Sequence, residues 1–264
     1  MSARLRRWLR PLYPVLRPIW QRVEPWIRGE SRYSPQIMVA RLARWRDRRR
    51  TGAADDGTAR IRPMDRVELV DLAASVPYYR PRIGYLRAAS AIATEMIDRK
   101  GLQTALELGP NVRSLIIGAD VMDIVPRPGI VTEGRLIVAD ATRAPWPVDA
   151  GRYDLFVALQ VFEHLGTRQP EAFLEVRRNA RNAILSLPID WVMADPRNCH
   201  HLVTEERVLG WFAPVVPTKV VVGNSGHRKR LIYVFEDLPV PDGEPATGTA
   251  AETEPVSEPV ATPA

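Results

Sequence analysis

The stretch Thr104-Ala-Leu-Glu-Leu-Gly-Pro-Asn111 decides how the chain is expected to fold. It is a short apolar run that contains one acid and ends abruptly at Gly109-Pro110. Such a run predicts a buried strand. A glycine at its end lets the following backbone approach a ligand closely, because no Cβ intervenes. We therefore expect a ligand to lie against the carboxyl end of this strand.

Two further apolar runs follow at suitable distances. Ile137-Val-Ala-Asp140 ends in an acid, and the run from Tyr153 to Leu165 continues through Gln160 into a Glu-His-Leu triplet. The carboxyl ends of parallel strands meet at one edge of a sheet, and α/β proteins bind nucleotide-type ligands there. The order of the three runs therefore predicts a nucleotide-type cofactor that lies across this edge.

Apolar strands alternate with helical stretches through the rest of the chain, which predicts a mostly parallel α/β sheet. The last two strands are separated by a segment short enough for a hairpin, so the last strand is expected to run antiparallel. A helix over about 81–100 is expected to end at Gly101, which suits a C-cap. The other expected elements are strands at 103–108, 120–124, 135–140, 153–159, 182–187, 218–223 and 230–236, and helices at 64–74, 168–180 and 204–212.

Length and composition favour one globular domain with flanking segments. The chain has 264 residues, of which 45% are apolar, so a core can form and global disorder is not expected. No run approaches the roughly 18 apolar residues of a membrane span, and the N-terminus lacks the pattern of a signal peptide. The single cysteine, Cys199, excludes an internal disulfide and fits a reducing compartment. We expect a cytoplasmic protein.

The formal net charge of +6 is unevenly distributed. Residues 1–50 have a net charge of +11, residues 236–264 have a net charge of −7, and the part between them is nearly neutral. The high pI therefore belongs mostly to the N-terminal segment. We divide the chain into a basic Arg/Trp-rich arm (1–50), a linker and helix (51–79), a catalytic domain (80–238) and a disordered acidic tail (239–264).

The arm combines its arginines with four tryptophans, and five prolines interrupt any long helix. Three interpretations remain open. The arm is a helical cap on the domain, or a peripheral membrane contact, since Trp and Arg suit lipid headgroups. The third interpretation, binding of nucleic acid or an acidic partner, is ranked last.

The three runs together resemble the class I S-adenosylmethionine-dependent methyltransferases, in the small-molecule group that carries Glu-His-Leu after the fourth strand. The resemblance covers about residues 80–236. It implies a doubly wound, seven-stranded, Rossmann-like sheet whose last strand is antiparallel. It also implies S-adenosylmethionine as the cofactor and methyl transfer to a small-molecule, lipid-linked or glycan-type acceptor, at oxygen.

The first motif of that family matches Glu107, Gly109 and Asn111. The resemblance implies that this loop passes the methionine part of the cofactor, with the Glu107 carboxylate near the amino-acid end or holding the loop. An acid at the end of the next strand should accept hydrogen bonds from the ribose hydroxyls. Asp123 is our choice for that acid, and Asp120 is its competitor.

Three more positions complete the implied cofactor site. Asp140 and Ala141 would contact adenine, with Trp146 near the ring or under it. Gln160 lies where the fourth strand ends, which in the family faces the transferred methyl group. The alternative for Asp140 is a structural cap on a turn.

Methyl transfer mainly requires that the acceptor be aligned with the methyl group and, for a hydroxyl, that its proton be removed. Histidine suits the second task, and we name His164, His200 and His201 as catalytic candidates. Structural roles remain the alternatives: pairing with Glu163 for the first, and packing of the 189–203 loop for the other two. Cys199 with its neighbouring histidines lacks a second ligand pair at metal-like spacing, so no metal site is predicted.

Two departures from the family pattern keep other functions open. Asn111 replaces the usual second glycine, although asparagine tolerates a positive φ. Only about one helical turn is expected between Asn111 and Asp120. These departures motivate a non-catalytic adaptor that has lost the cofactor, while the basic arm motivates an RNA methyltransferase.

Overall fold

The computed structural model describes residues 37–39, 61–125, 132–225 and 228–241. Outside these ranges lie most of the arm, residues 51–60 and residues 242–264. The predictions made for these segments therefore concern residues that the structure does not describe. None of the helices in the described ranges is both long and apolar enough to cross a membrane.

The described residues alternate strands with helices, as the sequence predicts. In chain order the strands are β1 (Arg62–Pro63), β2 (Ala105–Leu108), β3 (Ile116–Ile117), β4 (Asp120–Asp123), β5 (Leu136–Val138), β6 (Tyr153–Leu159), β7 (Ala180–Pro188), β8 (Lys219–Ser225) and β9 (Arg228–Phe235). The helices are α1 (Arg66–Ser75), α2 (Ile83–Lys100), α3 (Gln169–Asn179) and α4 (Glu205–Phe212), with 3₁₀ turns at Pro77–Arg82 and Phe162–His164.

Seven of these strands form one sheet in the order β5-β4-β2-β6-β7-β9-β8. The first five run parallel, while β9 is antiparallel to both β7 and β8. The predicted seven-stranded sheet and its antiparallel last strand are therefore confirmed. The order reverses at β2, and the carboxyl ends of β2, β4 and β6 consequently meet at one edge.

Side chains alternate between the two faces of the sheet because successive residues of a strand point in opposite directions. In β6, Leu155 and Val157 belong to a core with α1 and α2, whereas Phe156 and Ala158 belong to a second core with α3 and α4. Helices thus cover both faces, which confirms the doubly wound arrangement. Burial on both faces explains why this strand is apolar along its length.

The ends of α1 and α2 follow from local hydrogen bonding. Asp65 caps α1 by accepting from the amides of Val67 and Glu68, and the Glu68 carboxylate accepts from the Asp65 amide. α2 ends at Gly101, whose φ of 65° allows its amide to bond the carbonyl of Ile97. The predicted C-cap is confirmed.

The connection from β2 to β4 differs from the expectation. The helical turn expected between Asn111 and Asp120 is absent, and the two-residue strand β3 takes its place. β3 pairs with β1 in a small antiparallel sheet, and the Met64 amide adds a bond to the carbonyl of Leu115. β3 consists of two isoleucines, whose branched Cβ favours extended backbone.

The segment before residue 80 belongs to the same packed body as the sheet. Met64, Leu69 and Tyr79 are buried in the core that contains Leu155 and Val157 of β6. The boundary drawn at residue 80 from sequence therefore does not mark a break in packing. This arrangement brings the 3₁₀ turn at Pro77–Arg82 to the loop that follows β2.

A substitution at Gly134 tests how closely the segment before β5 approaches the backbone of Ala119. A Cβ at Gly134 would clash with the carbonyl oxygen of Ala119, which is backbone and can move only with the chain that leads into β4. We expect Gly134→Ala to lower the free energy of unfolding by about 1–3 kcal/mol in denaturant titrations.

Gly210→Ala is the matched control, because Gly210 lies within α4 and a Cβ there meets no atom within 4 Å. We expect this change to raise the free energy of unfolding by about 0.5–1 kcal/mol, since alanine favours helix. Equal effects of the two substitutions would contradict the described packing at Gly134.

Candidate functional site

The loop after β2 turns sharply at two positions. Gly109 has a φ of 59° and Asn111 a φ of 66°. A Cβ at Gly109 would lie 3.1 Å from a methyl carbon of Val161, so both backbone conformation and space favour glycine. Asn111 adopts the positive φ that the sequence analysis considered tolerable for asparagine. The turn leads the chain over the carboxyl end of β2.

Tyr79 binds this loop from the 3₁₀ turn. Its hydroxyl donates to the carbonyl of Pro110 (2.9 Å) and accepts from the amides of Val112 (3.2 Å) and Arg113 (3.3 Å). Three backbone groups that a helix would otherwise satisfy are thus paired by one phenol. Tyr79 carries no motif of its own, so its sequence context does not mark it as part of the site.

Glu107 holds the same loop from the strand. Its buried carboxylate accepts from the Ser114 hydroxyl (2.5 Å) and from the Ile116 amide (3.1 Å). Burial raises the pKa of Glu107, and these hydrogen bonds oppose the shift. The resemblance implies that the Glu107 carboxylate either lies near the amino-acid end of the cofactor or holds the loop. The contacts observed here are those of a residue that holds the loop.

The two acids of β4 lie at opposite ends of the strand. Asp120 is at the amino end, where its carboxylate accepts from Arg135 (2.9 Å) and from the Tyr153 hydroxyl (2.9 Å). Asp123 is buried at the carboxyl end, and its Oδ1 accepts from the Val125 amide (3.3 Å). Only Asp123 shares the edge at which the Gly109 loop lies.

Asp140 follows β5 at the same edge and organises a turn. Its Oδ1 accepts from the amide (2.9 Å) and hydroxyl (2.7 Å) of Thr142, and these bonds lower the pKa of Asp140. The carbonyl of Ala141 accepts from the Trp146 indole (3.2 Å). Trp146 is buried beneath the turn, where it stacks on Phe156. Asp140 therefore caps a turn, as the alternative interpretation predicted. The second carboxylate oxygen of Asp140 lies 3.4 Å from Nε of Arg143.

Gln160 ends the fourth parallel strand with a φ of 62°. Its side-chain oxygen accepts from Nε of Arg230 (2.9 Å), whose guanidinium lies 4.8 Å from the Tyr85 ring and 4.6 Å from the Trp191 ring. The side-chain oxygen of Gln160, a residue predicted to belong to the cofactor site, thus positions this arginine. Arg230 is only 4% exposed.

Arg230 was missed in the sequence analysis, although its spacing carries a signal. Arg230 is in phase with Ile232 and Val234, and the latter two belong to the core beneath α2. The alternation of a strand would have placed Arg230 on the same buried face. A charged residue in phase with core positions indicates a functional or paired group.

His164 and His200 come together across 35 intervening residues of chain. Their rings lie 5.0 Å apart, edge to face, and His200 stacks on Trp191. The Cys199 thiol contacts Nδ1 of His164 at 3.2 Å and Nδ1 of His200 at 3.4 Å. Desolvation lowers the pKa of both imidazoles.

Glu163 lies beneath this group with its carboxylate fully buried. Its Oε1 lies 3.6 Å from Nε2 of His200, and neither carboxylate oxygen accepts a hydrogen bond from the described residues. Burial raises the pKa of Glu163 to about 8. His201, the third predicted catalytic histidine, faces its own loop, where Nδ1 accepts from the Met193 amide (3.1 Å).

No known protein-family profile matches the chain, and no curated protein matches it. Among solved structures it is similar to the N-methyltransferase NodS from Bradyrhizobium japonicum in complex with S-adenosyl-l-homocysteine. That similarity has 18% identity, covers 62% of this chain and 90% of that chain, and has a TM-score of 0.43.

Two further similarities have different chemistry. The CurJ carbon methyltransferase is 14% identical over 64% of this chain and 58% of that chain, with a TM-score of 0.41. The [4+2]-cyclase SpnF is 9% identical over 52% of this chain and 76% of that chain, with a TM-score of 0.38. The fold of this chain therefore follows from its own strand order, and its function must be argued from its own site.

Tyr79→Phe tests the support of the β2 loop. Removal of the hydroxyl takes away the Arg113 amide's bond and leaves the Val112 amide and the Pro110 carbonyl with only their bond to each other, so we expect the free energy of unfolding to fall by about 1–3 kcal/mol. Tyr78→Phe is the control, because Tyr78 is the exposed neighbour in the same turn and exposed substitutions usually change stability by less than about 0.5 kcal/mol. Similar denaturant midpoints for the two variants would contradict the role of Tyr79.

Proposed function

We propose that the protein is an S-adenosylmethionine-dependent methyltransferase that acts on a small-molecule, lipid-linked or glycan-type acceptor at oxygen. The observation that carries this proposal is the alignment of three neighbouring strand ends. The Gly109 loop follows β2, Asp123 ends β4 and Asp140 follows β5, and these three strands are adjacent in the sheet. A nucleoside-type ligand crosses such an edge in doubly wound folds.

The proposed cofactor lies along this edge. Asp123 would accept hydrogen bonds from the ribose hydroxyls, as acids do at the end of the second strand in dinucleotide folds. The adenine ring would lie at the Asp140-Ala141 turn, which Trp146 supports from below. The methionine part would pass Gly109, where the absence of a Cβ allows close approach of the backbone.

The acceptor would meet the methyl group beyond the end of β6. His164 and His200 lie at this end together with Trp191, and their ring nitrogens can take up the proton that a hydroxyl loses on methylation. Alignment of the acceptor with the methyl–sulfur bond supplies most of the remaining rate enhancement. This arrangement supports oxygen as the acceptor atom.

Arg230 supports an acceptor that carries an anionic group, as the phosphate of a lipid-linked glycan does. Its buried guanidinium donates to the neutral amide oxygen of Gln160, and Nη1 has no hydrogen-bond partner among the described side chains and backbone. Glu163 attracts this guanidinium electrostatically, but a buried N–H group that makes no hydrogen bond still costs stability. Arginine forms paired hydrogen bonds with phosphate or carboxylate, so an anionic ligand would complete this site.

A non-catalytic adaptor is the second candidate, because one observation favours it. The amides of Val112 and Arg113, which follow the Gly109 turn, already bond the Tyr79 hydroxyl and are not directed at a ligand.

RNA methylation depends on the arm, which lies almost wholly outside the described residues. We propose a cytoplasmic location, with the arm as a peripheral membrane contact.

Titration with S-adenosylhomocysteine separates these candidates. We expect the full chain to bind it, and Asp123→Asn to weaken binding about 10-fold or more, because hydrogen bonds to a charged group contribute about 1.5–3 kcal/mol. Asp149→Asn is the control, since this carboxylate is exposed at the opposite edge. Absence of binding by the unaltered chain, for both S-adenosylmethionine and S-adenosylhomocysteine at millimolar concentration, would support the adaptor.

Arg230→Met tests whether the buried charge serves a ligand or the fold. We expect the free energy of unfolding to change by less than about 1 kcal/mol, because relief of the guanidinium's desolvation cost offsets the loss of its hydrogen bond to Gln160 and of its attraction to Glu163.

Arg178→Met is the contrasting variant. Arg178 bonds the Glu175 carboxylate (2.9 Å) and the Trp146 carbonyl (2.9 Å), so its loss should lower the free energy of unfolding by about 1–3 kcal/mol. If Arg230→Met unfolds as easily as Arg178→Met, the Arg230 charge serves the structure.

A further inference from the structure

Three potential metal ligands converge beside the acceptor end of the sheet. One ligand atom each from His164, Cys199 and His200 lies within 4.8 Å of the other two. The shortest separations are those of the Cys199 sulfur from the two Nδ1 atoms, at 3.2 and 3.4 Å. Two imidazoles and a thiol form a donor set that suits a borderline-soft divalent ion.

These separations agree with the geometry of bound zinc. Zinc bonds are about 2.3 Å to sulfur and about 2.0–2.1 Å to nitrogen, so the edge of a tetrahedron between the two ligand atoms is about 3.5 Å. The observed sulfur–nitrogen separations lie within a few tenths of an ångström of this value. The ligand nitrogens of the two rings lie within 4.8 Å of each other, so a single ion could contact both rings and the thiolate once one ring moves toward the other.

Glu163 supplies a second, independent observation beside the cluster. Its carboxylate is completely buried, both of its oxygens lack hydrogen bonds within the described part of the chain, and Oε1 faces Nε2 of His200 at 3.6 Å. Ligand histidines commonly donate their second ring N–H to a carboxylate, which orients the ring and increases its basicity. Glu163 occupies the position of such a partner if His200 binds the ion through Nδ1.

We propose that His164, Cys199 and His200 bind a divalent zinc ion, with Glu163 as the carboxylate partner of His200. Three protein ligands leave the fourth tetrahedral position open, as in zinc sites that bind water or substrate. His164 is exposed and Cys199 is reached by solvent, which provides the ion with an access path.

The position of the ion suggests its use, and this step rests on the proposed function. An acceptor hydroxyl in the open position would lose its proton to water more readily, because the ion stabilises the alkoxide. The alkoxide oxygen then forms a bond to the methyl carbon while the carbon–sulfur bond breaks, and the sulfonium becomes a neutral thioether. In this form His164 and His200 act through the ion and not as bases.

A metal-free explanation competes with the proposal. Nδ1 of His200 lies 2.8 Å from the side-chain oxygen of Asn198, so an N–H there could donate to that amide. Metal binding at Nδ1 would replace this hydrogen bond. The cluster would otherwise be a hydrogen-bonded group of two histidines and a thiol.

Cobalt substitution distinguishes the two explanations without any mutation. Cys199 is the only cysteine of the sequence, so a thiolate-to-cobalt charge-transfer band from the full untagged chain must report this residue. We expect one equivalent of Co²⁺ to produce the band and Zn²⁺ to abolish it. Absence of the band at saturating Co²⁺ would overturn the proposal.

Variants then assign the ligands. We expect His164→Ala and Cys199→Ala to lose stoichiometric Zn²⁺ binding in titrations, and Glu163→Gln to weaken it about 10–100-fold. His201→Ala is the matched control, because this neighbouring histidine lies outside the cluster and should retain full binding. Unchanged Zn²⁺ affinity in both ligand variants would overturn the assignment.

Titration of S-adenosylhomocysteine into the metal-free chain is measured separately. If cofactor binding fails while Co²⁺ binds with the charge-transfer band, the proposed function is wrong and the metal site stands. If the cofactor binds and Co²⁺ produces no charge-transfer band, only the proposed metal site is wrong.

Discussion

The hydrogen bonds that hold the loop between β2 and β4 are the constraint on which the candidate site depends. In most doubly wound sheets a helix makes this connection and satisfies its own backbone. Here the Tyr79 hydroxyl and the Glu107 carboxylate satisfy much of it. This support requires residues 61–79 to pack on the sheet, and it makes the N-terminal helices part of the site's framework. The same contacts leave Gly109 with its positive φ at the sheet edge.

The two edges of the sheet differ in how well their polar groups are paired. At the amino edge, the Asp120 carboxylate accepts hydrogen bonds from Arg135 and Tyr153. The Asp154 carboxylate accepts from the backbone amides of Gln103 and Thr104. At the carboxyl edge, Gln160, Glu163 and Arg230 each keep a buried polar atom without a partner in the described structure. Unpaired buried groups cost stability. Asn179 keeps one unpaired oxygen beside the start of β7, but three such residues lie together at the carboxyl edge, and a ligand that completes them would relieve this cost.

These unpaired groups also separate the two halves of the proposed site. Asp123 and the Asp140 turn form a cofactor half that resembles other nucleoside sites in its logic. Arg230, Glu163 and the His164–Cys199–His200 cluster form the proposed acceptor half. The first half supports binding of S-adenosylmethionine, while the second half supports binding of an anionic acceptor and a zinc ion. Each half is therefore tested by a different ligand.

Local and periodic features of the sequence predicted most of the architecture. Apolar runs located the strands, the short hairpin predicted the antiparallel last strand, and Gly101 marked the end of α2, because these features depend on neighbouring residues alone. The placement of Asp123 at the carboxyl end of β4 also followed from spacing. The two-residue strands β1 and β3 could not be predicted, since so short a pair carries no periodicity.

Only the tertiary structure decided which distant side chains meet. Tyr79 reaches a loop that lies more than thirty residues further along the chain, Gln160 meets Arg230 across seventy residues, and His164 meets Cys199 across thirty-five. No local pattern encodes such contacts, because they arise when strands far apart in sequence become neighbours in the sheet. The sequence by itself determined a doubly wound sheet with acids at its strand ends. Folding determined which of those groups remain unpaired, and hence what the site can bind.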